Sequence, residues 1–303
     1  MSTLKRKVDK KHDGIVIRQF LKEELELSTR LIRSASIEKR ILVNNIPVRM
    51  RCVLKEGDEV IIKLSKNESQ NITPEKMDLN IVYEDDDILV LNKPPFMVVH
   101  PTKSHQSGTL ANGVLNYFQE TEQNCIVRLV SRLDMNTSGL IIIAKNQFAH
   151  MTLSKEMQKN ALEKRYIAIV HGHLDEMEGT INEPIYKLDN EENSFKRVVD
   201  ERGQESITHY KVIKRLKDSD VVECLLETGR THQIRVHLNH LGHPIYGDTL
   251  YGYGEEEEEL IKRQALHAYG LDFKSPKTKE ELSLRAELPQ DMQDLIKKID
   301  DNN

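Results

Sequence analysis

Arg132-Leu133-Asp134-Met135-Asn136-Thr137-Ser138-Gly139 runs straight into Leu140-Ile-Ile-Ile-Ala144. The first eight residues have the composition of a turn-rich loop, and the next five are an uninterrupted apolar run, which predicts a strand buried on both faces. A carboxylate at the mouth of such a strand is fixed by rigid scaffold and can still face a cleft, as a nucleophile or general base requires. The same loop also reads as plain backbone capping by Asp134, Thr137 and Ser138.

Outward from this stretch, further apolar runs predict strands at Ile81 to Tyr83, Ile88 to Leu91, Tyr166 to Val170, His209 to Ile213, Val221 to Leu226 and Ala268 to Phe273. Helical spacing marks Thr109 to Phe118, Gln147 to Lys159, Thr231 to Leu241 and Leu260 to Gln264, with the acidic run Glu255 to Glu259 as a solvated helix start. Strands outnumber helices and no βαβ alternation appears, so the domain reads as α+β, a mixed and mainly antiparallel sheet.

Ahead of it lies a smaller unit. Ile17, Phe20, Leu21 and Leu25 recur at helical spacing, and Ser28 is placed to cap a second helix carrying Leu31 and Ile32. Asn44-Asn45 then sits as a turn between two β-rich pieces, and Val60-Ile61-Ile62 gives another strand. The expected division is a basic tail over residues 1–12, a helix-helix-sheet module over 13–73 and a catalytic domain over 77–303, with Ser65 to Pro74 as linker.

The chain of 303 residues carries a net charge of −5, which hides an asymmetry. Residues 1–70 hold 16 Lys and Arg against 10 Asp and Glu, leaving −11 on the remainder. Attraction to phosphate therefore begins at the N-terminal module, and the large domain needs a local basic cleft to take part. Cys52, Cys125 and Cys224 lie far apart with no CxxC pair, which excludes a disulfide framework or a cysteine zinc site. No run approaches the length of a membrane span, and a cytoplasmic monomer is the default expectation.

Four stretches in order, RLDMNTSGLIIIAK, Asn92-Lys93-Pro94-Pro95 through His100-Pro101, Glu163-Lys164-Arg165-Tyr166 and Glu227-Thr-Gly-Arg-Thr-His-Gln-Ile-Arg-Val-His237, resemble the pseudouridine synthases of the large-ribosomal-subunit type. Leu241-Gly-His-Pro-Ile-Tyr-Gly-Asp248 continues the last of them. The resemblance covers roughly residues 78–275, while the first module resembles the small RNA-binding domain of ribosomal small-subunit protein four. One departure is Ser131, where many relatives have His.

The resemblance implies an RNA-modifying isomerase that needs neither cofactor nor metal. It assigns the catalytic carboxylate to Asp134, a base-stacking ring to Tyr166, and to Arg230 the cation that keeps Asp134 ionised. Arg132 and Lys93 are expected to contact RNA phosphate or else to orient the loop, and Arg30, Arg33, Lys39 and Arg40 to supply the phosphate contacts of the small module. Ribosomal RNA is the preferred partner and transfer RNA the second; no membrane is expected.

Two other readings compete. One is a noncatalytic RNA-binding or ribosome-assembly protein on the same fold. The other is a glycosidase pairing Asp134 with Glu163. His232, His237, His240 and His243 crowd one segment, but no Cys or carboxylate completes a zinc pattern, so capping and packing account for them better.

Overall fold

The computed structural model describes residues 2–66, 68–188 and 195–301. The small module comprises β1 (Thr3–Lys7), α1 (Ile17–Glu23), α2 (Thr29–Ile37), β2 (Ile41–Val43), β3 (Ile46–Pro47) and β4 (Glu59–Lys63). Its helices close over a four-stranded sheet of order β1-β4-β2-β3, burying Ile17, Phe20, Leu21, Leu31 and Ile32. Ser28 caps α2 by accepting from the Leu31 N–H at 3.2 Å. Asn44 and Asn45 both take left-handed backbone angles, φ 50° and 66°, which is the turn geometry that matches the twist of a tight hairpin.

The N-terminal residues differ from the expected tail. Thr3–Lys7 pairs antiparallel with β4 from Thr3↔Lys63 to Lys7↔Glu59. Its lysines and arginine suit an edge strand, whose open side charged residues keep from pairing with other chains. The stretch expected as a free linker is likewise docked: the Gln70 amide exchanges two hydrogen bonds with the Val127 backbone (3.2 and 2.9 Å), and Glu68 pairs with Arg128.

The large domain runs β5 (Ile81–Glu84), β6 (Ile88–Lys93), α3 (Leu110–Glu120), β7 (Arg128–Leu129), β8 (Ser138–Ala144), α4 (Gln147–Gln158), β9 (Glu163–His171), β10 (Glu178–Asn182), β11 (Ile185–Lys187), β12 (Arg197–Val199), β13 (Ile207–Arg215), β14 (Ser219–Leu226), α5 (Gln233–His240), β15 (Leu266–Lys274), β16 (Glu281–Arg285) and α6 (Gln290–Asp301). One sheet carries the order β10-β13-β14-β9-β15-β8-β6-β5, with β16 beside β15 and β7 beside β8. Every pairing is antiparallel except β8 with β15, so the mixed, mainly antiparallel α+β architecture is the observed one.

Helices were expected over Leu260 to Gln264 and at the acidic run before it, and neither forms. That segment is a series of turns because its side chains are committed inward: Glu257 accepts from the Gly247 N–H at 2.7 Å, and Arg263 is buried against Asp291 at 2.6 Å. A helix not expected from the sequence, α6, closes the main core with Met292 and Leu295. The two modules share apolar packing, since Phe148 of α4 lies in the core of the small one.

One row of the sheet positions the site. Cys224 of β14 faces Tyr166 of β9, Tyr166 faces Ala268 of β15, Ala268 faces Gly139 of β8, and Gly139 faces Lys93 of β6. Three of the quoted motifs, through Lys93, Gly139 and Tyr166, thus meet on one line. Gly139 is required there: its φ is +115°, and a Cβ would lie 2.2 Å from the Ala268 carbonyl oxygen.

Candidate active site

Asp134 sits in the turn before β8, where the Thr137 N–H donates to its carbonyl at 3.1 Å. Buried polar groups fix this turn from beneath. The Lys93 ammonium donates to the carbonyls of Met135 (2.9 Å), Met97 (3.0 Å) and Pro94 (2.8 Å). Arg263 donates to the Asn136 carbonyl at 3.2 Å, and the Ser138 hydroxyl meets His267 Nδ1 at 2.9 Å. Lys93 is wholly buried, so the expected RNA contact is corrected: it organises the loop. Burial pulls its pKa down to about 7, while three carbonyl acceptors match the three donors of an ammonium and favour the charged form.

The cation on Asp134 is Arg235, whose Nη1 lies 3.1 Å from Oδ2. The assignment to Arg230 does not hold as a pairing: its Nε donates to the Glu205 carbonyl at 3.1 Å, and its side chain stands exposed at the rim of the same cleft. The reason is local. The Gln233 carboxamide accepts from Thr228 Oγ1 and from the Arg230 N–H, both at 2.9 Å, which starts α5 after Arg230 and carries Arg235 inward on its first turn.

Arg235 is itself clamped by Asp248, through Nε at 2.7 Å and Nη2 at 2.8 Å. Burial alone would lower the arginine's pKa, but Asp248 and Asp134 overcome this and raise it. A two-toothed guanidinium–carboxylate contact fixes the plane of the arginine as well as its charge, leaving Nη1 aimed at Asp134. Asp134 remains 29% exposed and open to a ligand.

Tyr166 is buried beside Asp134, and its hydroxyl is pushed well above the ordinary tyrosine value, first by burial and then by that carboxylate. His232 enters between Asp134 and Tyr251, with Nε2 3.8 Å from Asp134 Oδ2 and Nδ1 2.9 Å from the Tyr251 hydroxyl. Sequence reasoning grouped His232 with the packing histidines. The only signal available was its place in the same motif, because its left-handed backbone, φ 59°, is visible only in the structure.

His237 and His243 have structural partners. His237 lies between Thr208 Oγ1 (2.9 Å) and the Glu183 carbonyl (3.0 Å), and His243 Nδ1 reaches the His171 carbonyl at 2.8 Å. Glu163 does not reach Asp134. It pairs with Arg165, which also holds Glu223 and Asp272, on the face of β9 opposite Tyr166, so the paired-carboxylate arrangement of a glycosidase is not formed.

Asp134 and Tyr166 open onto a cleft of about 980 Å³ whose walls include Arg132, Lys164, Arg197 and Arg230. This is the local basic cleft that an acidic domain needs to receive a polyanion. Arg132 is exposed there, as expected of an RNA contact, and Arg30, Arg33 and Lys39 are exposed on the small module. Arg40 is the exception among them. Its guanidinium is buried and donates to the Lys63 carbonyl (2.7 Å), Glu38 (3.0 Å) and Ser34 (3.3 Å), tying the end of α2 to β4.

Residues 87–240 match the family model described as RNA pseudouridylate synthase. The chain is 42% identical to the uncharacterized RNA pseudouridine synthase YjbO of Bacillus subtilis, over 90% of this chain and 96% of that protein. It is 38% identical to the ribosomal large subunit pseudouridine synthase D of Buchnera aphidicola, over 86% and 87% of the two chains. Among solved structures, human RNA pseudouridylate synthase domain containing 1 superposes with a TM-score of 0.57 at 28% identity, covering 69% of this chain and 83% of its own. The chain belongs to the RNA pseudouridine synthase family, isomerases that convert uridine in RNA to pseudouridine.

Proposed function

We propose that Asp134 is the carboxylate that initiates isomerisation, that Arg235 rather than Arg230 pairs with it and orients it, and that the uracil stacks on Tyr166. The observation that carries this is the juxtaposition itself: an accessible carboxylate at the mouth of β8, 3.1 Å from a clamped guanidinium and beside a buried phenol. The uridine must leave its stack to enter such a cleft, and an aromatic face offsets part of the cost of unstacking.

The bond from uracil N1 to ribose C1′ breaks with its electron pair staying on the base. Asp134 drives this either by attacking C1′ or by removing a neighbouring ribose proton. The base turns, C5 bonds to C1′ as Asp134 either leaves that carbon or returns the ribose proton it took, and the proton lost from C5 is balanced by one gained at N1. Either route needs the carboxylate held towards the ribose, which is the part assigned to Arg235.

Large-subunit ribosomal RNA is the proposed substrate, supported by relatives named for that activity at 37–38% identity and by the exposed Arg30, Arg33 and Lys39 of the small module. In this reading the small module adds affinity for structured RNA, Arg132 meets the strand at the cleft, and the protein acts as a cytoplasmic monomer. Pseudouridine mapped across total cellular RNA, in a strain lacking the gene and in its parent, tests this. Loss at a large-subunit uridine is expected, and loss confined to transfer RNA would overturn the assignment.

A further inference from the structure

His232 occupies a position that neither Asp134 nor Tyr166 accounts for. Its ring is largely buried, lines the same pocket as both, and stands edge-on to Tyr251 at 5.6 Å. The Tyr251 oxygen already accepts a hydrogen bond from the Arg197 N–H at 2.9 Å. Its own proton is then free to go to His232 Nδ1, an acceptor at 2.9 Å. A neutral imidazole that accepts at Nδ1 carries its proton on Nε2, and Nε2 is the nitrogen that faces Asp134.

The distance from Nε2 to Asp134 Oδ2 is 3.8 Å, too long for a hydrogen bond. The N–H is therefore aimed into the reaction site without being spent on the carboxylate. The neutral state is the balance of burial and the charges around the ring. Burial depresses the imidazole pKa most; Arg235 and Arg197 push the same way, and Asp134 and Asp248 oppose them.

We infer that His232 is a further catalytic residue, a neutral Nε2–H donor that receives a carbonyl oxygen of the uracil as the base detaches. When the bond from N1 to C1′ breaks, the electron pair spreads over N1 and the adjoining carbonyl oxygens. A fixed donor close to Asp134 meets that charge where it develops. No proton passes to the base in this step: the hydrogen bond strengthens and the imidazole stays neutral, because protonating it first would leave Nδ1–H opposed to the Tyr251 O–H. Tyr251 is then a positioning residue that selects the tautomer.

This inference rests on Asp134 being the initiating carboxylate, and the test separates the two. Single-turnover isomerisation and RNA affinity are measured for the full-length protein and for His232→Ala, His232→Gln, Tyr251→Phe and Asp134→Asn. His232→Ala should lose about 100-fold in the chemical step, as removal of one preorganised donor does, with RNA affinity within about threefold. His232→Gln, which keeps an N–H, should recover part of the loss, and Tyr251→Phe should lie between parent and His232→Ala. Parent and His232→Gln should share the same shape of rate profile between pH 6 and 8. A His232→Ala rate within threefold of the parent while Asp134→Asn is inactive overturns the inference alone. An active Asp134→Asn overturns the reading beneath it. A parent rate that climbs on acidification through pH 7 to 6 while that of His232→Gln does not would make the donor an imidazolium and also refute the neutral assignment.

Discussion

Replacing Arg235 with Leu should both destabilise the protein and silence it, and the two effects can be separated. Asp248 is fully buried and accepts four hydrogen bonds, two from Arg235 and two from the backbone N–H groups of Leu250 (3.0 Å) and Tyr251 (3.1 Å). Removing the arginine leaves a buried carboxylate on the two backbone donors, a change that costs roughly 3–5 kcal/mol. The contact with Asp134, which is partly exposed and screened by solvent, adds about 1 kcal/mol at most. Urea unfolding should therefore show a loss of about 3–5 kcal/mol for Arg235→Leu and under about 0.5 kcal/mol for the rim residue Arg230→Leu. Adding Asp248→Leu to Arg235→Leu removes the orphaned charge and should restore much of the stability, yet turnover should stay low because Asp134 has still lost its cation. An Arg235→Leu variant within 1 kcal/mol of the parent, or a double variant that regains turnover, would refute the reasoning.

The close approach of β8 to β15 makes Gly139→Ala costly: with φ at +115° and a Cβ 2.2 Å from the Ala268 oxygen, a loss of about 3 kcal/mol or more is expected. An unchanged melting temperature would show that the strands do not approach so closely. Burial depresses the His267 pKa to about 4, below its unfolded value, so the unfolded chain takes up the proton first. The folded state should lose stability as pH falls from about 6.5 towards 4, on the order of 2 kcal/mol by pH 5. His267→Leu should lessen that slope, and an identical slope would remove His267 as its cause. Phe148→Ala takes a ring out of the small module's core and should cost about 3 kcal/mol while making residues 2–64 easier to proteolyse; equal resistance would argue against a shared core.

What could be read from the sequence follows from which signals are local. The strand Leu140 to Ala144 announces itself by five consecutive apolar residues, and the Ser28 cap and the Asn44-Asn45 turn are single-residue chemistry. Asp134 was legible because loop and strand adjoin in the chain. The error over Arg230 has the opposite origin: two arginines share one motif, and only the turn made by Thr228 and Gln233 decides which one α5 carries inward. Lys93 and Arg40 read as RNA contacts because lysine and arginine usually lie at the surface; each is held inside by an acceptor distant in sequence, the Met135 carbonyl for Lys93 and the Lys63 carbonyl for Arg40. The absent helix at Leu260 to Gln264 failed likewise, since Arg263 and Glu257 answer to Asp291 and Gly247 rather than to their neighbours.

The central claim is that Asp134 carries the isomerisation. Purified parent and Asp134→Asn proteins, incubated with ribosomal RNA from a strain lacking the gene and assayed for pseudouridine and for free uracil, test it most directly. The account predicts pseudouridine with the parent, none with the variant at RNA affinity within a few fold, and free uracil with neither. Pseudouridine formed by Asp134→Asn, or uracil released by the parent, would contradict it.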